Sequence, residues 1–137
     1  MPKLMGLNLI PVLAASVAFF VVGFLWYGLI FSDAWMAAEG VTKAAAESES
    51  KAWMALGFVI TILQVIGIGL VLKWRNITSL TPALSTAFLL WVAFALAIVL
   101  YAFTYLPAHN STLLMIDASH LLVGWLVSAG VLALMKV

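Results

Sequence analysis

The chain has 137 residues, 66% of them hydrophobic and 8% charged, with a net charge of +1 and a mean hydropathy of +1.23. A soluble domain carries about 25% charged residues, so a chain this poor in charge cannot cover a surface in water. Lipid is the solvent its composition fits. The near-zero net charge leaves no basic patch for nucleic acid, and the lack of cysteine excludes disulfides, thiolate metal sites and cysteine nucleophiles.

Lys3 followed by an apolar run with small residues at Ala15, Ser16 and Ala18 imitates a signal peptide. The charge-free run continues from Leu4 to Phe31, too long for the apolar region of such a segment, so it is expected to be kept as a first membrane span over 9–30. Pro11 fits there because a first helical turn leaves its N–H groups unpaired anyway. The connection that follows holds most of the acidic residues. Ser32 is placed to cap a short helix that reaches Glu39 and stops at Gly40. Thr42 is placed to cap a second turn through the alanines that merges into the next span. This connection is expected to lie as an interfacial helix at the outer surface.

Lys51 and Lys73 bracket a second span over 52–72. Thr81 as N-cap and Pro82 as first helical residue open a third over 82–105, ended by Pro107. A fourth covers 113–135. Each reaches the roughly 20 residues needed to cross about 30 Å of hydrocarbon. The fold class expected is therefore all-α, an integral membrane four-helix bundle forming one domain over 1–137.

Orientation follows from the preference of Lys and Arg for short cytoplasmic segments. One side of a four-span chain holds Lys3, Lys73, Arg75 and Lys136 with no acidic residue. The other holds Lys43 and Lys51 beside Asp33, Glu39, Glu47 and Glu49. Both termini are thus expected in the cytoplasm. Trp26, Tyr27, Trp35, Trp53, Tyr101 and Tyr105 would form the outer aromatic belt, with Trp74 at the inner level. Asn76-Ile77-Thr78 and Asn110-Ser111-Thr112 match the glycosylation pattern, but the first faces the cytoplasm and the second hugs the membrane.

Asp117 and His120 are the sharpest polar feature. Three apart on a helix, they share a face with Gly124 and Ser128. A carboxylate in hydrocarbon is costly, by about 2.5–3.5 kcal/mol or more, so this face must meet protein or water. By helical rise, Asp117 lies about 6–8 Å and His120 roughly 10 Å below the outer boundary. Three readings stand side by side. The face is buried glue, with Asp117 paired to His120 or hydrogen-bonded to Tyr or Ser neighbours; or it is a proton, ion or substrate site; or Asp117 simply sits in a wet outer vestibule. Gly57, Thr61, Gln64 and Gly67 form a second stripe, with Gln64 near the midplane. Ser16, Gly23 and Tyr27 align on the first span, and Thr86, Ala93, Ala97 and Thr104 on the third. Four such seams are expected to converge on the bundle interior. The candidate intramembrane polar site is Asp117, His120, Gln64 and Tyr27. No catalytic constellation is present, since Ser119 and His120 are neighbours in sequence and point apart on a helix. Two histidines, one of them in a loop, make a weak metal signal, and no cofactor is implied.

Gly23-Phe24-Leu25-Trp26-Tyr27-Gly28, then Phe31, Ala34-Trp35-Met36 and Gly40, resembles a bacterial membrane family catalogued as domain of unknown function 1761. Ala87-Phe88-Leu89-Leu90-Trp91 and Phe94 on the third span share the resemblance. In the fourth span that family commonly shows an Asn-Ala-Gly-Tyr-like stretch, where this chain reads Asp117-Ala118-Ser119-His120. The resemblance implies a small bacterial inner-membrane protein and brings no established activity. The leading expectation is a non-enzymatic protein whose partners are the bilayer and either further copies of itself or a larger membrane complex. A homo-oligomeric channel or transporter using Asp117 and His120 is the alternative. A lipid-modifying enzyme comes third, for want of a nucleophile–base pair.

Overall fold

The computed structural model describes residues 2–137. The chain starts with a feature its sequence did not announce. Met5 and Gly6 take left-handed backbone, φ 54° and 81°, the geometry of a tight two-residue hairpin turn. It folds β1 (Lys3–Leu4) onto β2 (Leu7–Asn8), pairing Lys3 with Asn8. Leu7 is thereby buried completely beneath the second span, where Gly69 makes room. A Cβ on that glycine would lie 3.0 Å from Leu7 Cδ1.

Four helices follow that are long and apolar enough to cross a membrane: Leu9–Ile30, Ala52–Trp74, Leu80–Tyr105 and Ser111–Leu134, below the first to fourth spans. Between the first two lie α-helices Ser32–Glu39 and Lys43–Ser48. Gly40 ends the former at φ 72°, and the Thr42 hydroxyl caps the latter by accepting the Ala45 N–H at 3.1 Å. The second of these helices does not merge into the second span. Glu49 is extended, with ψ 148°, and Ser50 Oγ accepts the Ala52 N–H at 3.2 Å where the span begins. The third span also starts earlier than Thr81 and Pro82 suggest. Ser79 occupies the cap position without a side-chain bond, and Pro82 falls third in the helix, still within the turn whose N–H groups lack intrahelical partners. Asn110 caps the fourth span by accepting the Leu113 N–H at 3.1 Å.

The spans form a bundle organised around the fourth, which packs on each of the other three. The first and second also lie against one another, while the third is held almost entirely by the fourth. Leu7, Val12, Phe19, Val65, Leu72, Ala87 and Leu132 belong to the sealed core. That core sits toward the end of the bundle that carries both chain ends, the terminal end. Asn8 stitches it closed, donating its backbone N–H to Val137 O at 3.3 Å and its side-chain amide to Lys136 O at 3.1 Å. At the far end packing thins, and Ala52 to Leu56 of the second span are exposed.

Two stretches depart from α geometry. Phe24–Ile30 and Trp91–Leu96 are π-helical, each turn closing over one residue more. This is why the third-span seam is misplaced by the sequence. Thr86 is buried, but the π turn then shifts the inward face onto Ala95, Val99 and Phe103. Ala93, Ala97 and Thr104 face outward. On the second span Gly67 also faces out, with no neighbour within 4 Å of where a Cβ would stand, while Val65, Ile68 and Leu72 turn inward.

Candidate functional site

The first turns of the fourth span collect the polar side chains. Asp117 Oδ1 accepts a hydrogen bond from Tyr27 Oη of the first span. Trp26, the preceding residue, donates its indole N–H to Ser119 Oγ at 2.9 Å. Adjacent residues of an α-helix point about 100° apart, and both could not reach one neighbour so directly. The π turn through Phe24–Ile30 separates successive side chains by a smaller angle, and Trp26 and Tyr27 can face the fourth span together. From the other side, Trp91 donates its indole N–H to the Ala118 carbonyl at 2.9 Å. Trp91 opens the second π segment. Both irregular turns thus flank the same residues, Asp117 to Ser119.

His120 does not pair with Asp117. Its ring is wedged between aromatics, 5.0 Å from the Tyr27 ring in an edge-on arrangement and 5.6 Å from Phe19. Tyr27 is the link between the two candidates, bonding one through its hydroxyl and packing the other with its ring. Gly23 admits the imidazole, since a Cβ there would stand 3.1 Å from Nε2. Below it the approach is closer still. A Cβ on Gly124 would lie 2.2 Å from Phe19 Cε1, so the first and fourth spans touch almost backbone to ring. Ser128 is fully buried and donates to the Gly124 carbonyl of its own helix at 2.7 Å.

Gln64 is not part of this cluster. Its Oε1 accepts the Trp125 indole N–H at 2.8 Å, tying the second span to the fourth further along the bundle. Polarity in the sequence points to Gln64, Tyr27, Asp117 and His120, and the structure adds Trp26, Trp91, Trp125 and Ser119. The available signal was chemical: an indole N–H inside an apolar span needs an acceptor, and three tryptophans supply three such demands.

Two cavities border the cluster. One of about 240 Å³ opens at the far end, lined by Asp117, Glu39 and Asn110 with apolar walls from Val99, Phe103 and Leu113. The other, about 280 Å³, lies between the first two spans, where His120, Tyr27 and Thr61 meet Phe20 and Phe24. Among the described residues no group of three potential ligands is placed to hold a metal ion.

A bundle of four apolar helices, three of them cross-braced onto the fourth by indole, phenol and carboxamide contacts, defines the class: an α-helical protein with the build of a multi-pass membrane protein. Residues 10–133 match the family model described as protein of unknown function (DUF1761), and the chain belongs to that family. Neither a curated protein nor a solved structure matches it.

Proposed function

We propose that this chain is a non-enzymatic multi-pass membrane protein that works by assembling, with further copies of itself or as a subunit of a larger complex. In this reading it sits in a bacterial inner membrane with both ends in the cytoplasm and the Ser32–Glu39 helix at the outer interface. The observation that carries it is the outward row of Ala93, Ala97 and Thr104 on a third span held from one side only. In lipid, helices associate through small residues that let backbones approach, and this row offers such a face to a helix from outside the bundle. Support for a non-enzymatic role comes from Ser119. Its oxygen accepts from Trp26 and its proton goes to the Ile116 carbonyl at 3.1 Å, leaving no role as a nucleophile activated by His120.

Native mass measurement in mild detergent tests assembly. Self-association is the expected outcome, and Ala97→Leu should disperse it while the monomer stays folded. Monomer alone at every detergent concentration, in extracts from native membranes as well, removes the reading.

A second reading, a channel or transporter for a small ion or solute, is favoured by one observation. Asp117 lines an open cavity instead of being sealed against Tyr27 on all sides. Flux into liposomes across a pH series, wild type against Asp117→Asn, decides it. Identical flux from empty liposomes would dispose of it.

A further inference from the structure

The terminal end of the bundle holds a cavity of about 320 Å³ between the end of the second span and the end of the fourth, where Asn8, Lys73, Asn76, Thr78 and Lys136 join an apolar wall of Ile77, Leu132, Ala133 and Val137. We propose that this cavity binds a phosphate group, as carried in the headgroup of an anionic phospholipid.

Charge is the first ground. Lys3, Lys73, Arg75 and Lys136 stand at this end with no acidic side chain beside them. The ion pair found among the described residues, Lys43 with Glu47 at 4.0 Å, belongs to the far end. Lys73 Nζ donates to the Gly6 carbonyl, a neutral acceptor that fixes the ammonium's position and leaves its charge uncompensated. The donor set suits a phosphate: two ammonium groups for charge, with the Asn76 carboxamide and the Thr78 hydroxyl to complete its oxygens, the Asn8 amide being engaged with the Lys136 carbonyl.

The backbone is the second ground. The second and fourth spans end in the same way. Ile77 N bonds Leu72 O at 2.9 Å and Asn76 N bonds Lys73 O at 3.0 Å, while Val137 N bonds Leu132 O at 3.0 Å and Lys136 N bonds Ala133 O at 3.2 Å. Each ending puts one residue in left-handed backbone, Asn76 at φ 56° and Lys136 at φ 55°, a place ordinarily filled by glycine or asparagine. Both of these residues line the cavity, and Ile77 and Val137 anchor it from below by packing on the core. A lysine at that position sacrifices backbone ease and gains a charge held at the cavity mouth.

Depth is the third. Lys73 and Lys136 close apolar runs that span hydrocarbon, and Trp74, 72% exposed, stands next to Lys73 as interfacial tryptophans do. The cavity therefore lies at headgroup level, where phosphate is the abundant anion. Its volume admits a headgroup and not an acyl chain, which would lie along the exposed faces of the spans.

The test is native mass spectrometry of the intact chain in neutral detergent, titrated with phosphatidylglycerol or phosphatidylcholine. A parallel arm measures thermal protection by inorganic phosphate. Phosphatidylglycerol should bind at least fivefold tighter than phosphatidylcholine. Lys136→Gly should weaken it about fivefold without lowering the unfolding temperature in lipid-free detergent, because glycine suits the left-handed backbone better. Thr78→Glu, which leaves the Lys73–Gly6 bond in place, should weaken it at least as much, and Lys51→Gln at the far end should leave it unchanged. Protection by inorganic phosphate that displaces the lipid would assign the same site to free phosphate. No protection would assign it to the lipid. Equal binding of the two lipids, or undiminished phosphatidylglycerol binding in both Lys136→Gly and Thr78→Glu, overturns the proposal.

Discussion

Tyr27 and Asp117 form a contact whose value can be measured by taking it apart. Removing the acceptor with Asp117→Ala strands the phenol proton, and the loss in thermal stability in detergent should be about 0.5–2 kcal/mol. Asp117→Asn keeps an acceptor and should lose less. In the Tyr27→Phe background, Asp117→Ala should cost almost nothing further, because the partner it would strand is already gone. Additive losses would mean the hydrogen bond does not stabilise the bundle. The glycines offer a contrast of sign. Gly124→Ala drives a methyl into Phe19 and should destabilise by about 1–3 kcal/mol. Gly67→Ala meets open space and should stabilise by up to about 1 kcal/mol through helix propensity. Both are read from unfolding in detergent. At this scale the sequence was informative about which residues are polar where polarity is expensive, and so named Asp117, His120 and Tyr27. It leaves open whom Asp117 meets, His120 on its own helix or a Tyr or Ser neighbour. Asp117 and His120 share a helical face, yet the bond goes to Tyr27 on another helix because its hydroxyl is the donor within reach. Whether two residues on one face bond each other depends on what the neighbouring helix presents, and spacing alone carries no record of that.

Among the helices, existence was legible and rotation was not. Four apolar runs bounded by charge or proline identify four long helices, since no other local arrangement satisfies the backbone in hydrocarbon. Rotation follows from an assumed 100° per residue, and one π turn invalidates it for everything downstream. Ala93, Ala97 and Thr104 were assigned inward by that arithmetic and lie outward, while Ala95 and Val99 hold the fourth span. A testable consequence concerns deletions. Removing Ala93 from the π segment should restore ordinary α-helix with both flanks still facing their partners. Expression and monodispersity should survive. Removing Gly67, equally exposed but within unbroken α-helix, turns Thr61 and Val65 about 100° away from Leu72 and should cause aggregation. If the Ala93 deletion aggregates as readily, the π turn is not a simple one-residue insertion.

For the molecule as a whole, the lopsided placement of charge leads to a topology experiment. Cysteines introduced at Gly40 and Asn110 should react with an impermeant thiol reagent added outside intact cells, and Arg75→Cys only after lysis. Reaction of Arg75→Cys in intact cells would invert the molecule and move the phosphate-binding end to the opposite leaflet. The N-terminal hairpin was invisible to a reading that tracked apolar length, because Met5-Gly6 is a weak turn signal and the strands it joins are two residues each. Its importance comes from tertiary contacts: Leu7 plugs the core and Asn8 binds the end of the fourth span.

That the fourth span is the hub has a consequence for how the protein is made. The first three spans leave the ribosome before it, and the first and third are braced chiefly by a helix not yet synthesised. Until then Trp26, Tyr27 and Trp91 carry donors with no acceptor, and Phe19 has no Gly124 to lie against. The third span, with almost no contact to the second, has little to hold it near the others. Synthesis should therefore pass through a loosely associated three-helix stage, exposed to membrane quality control. Insertion of the fourth span then completes the bundle in one step, as the indole, phenol and glycine contacts form together.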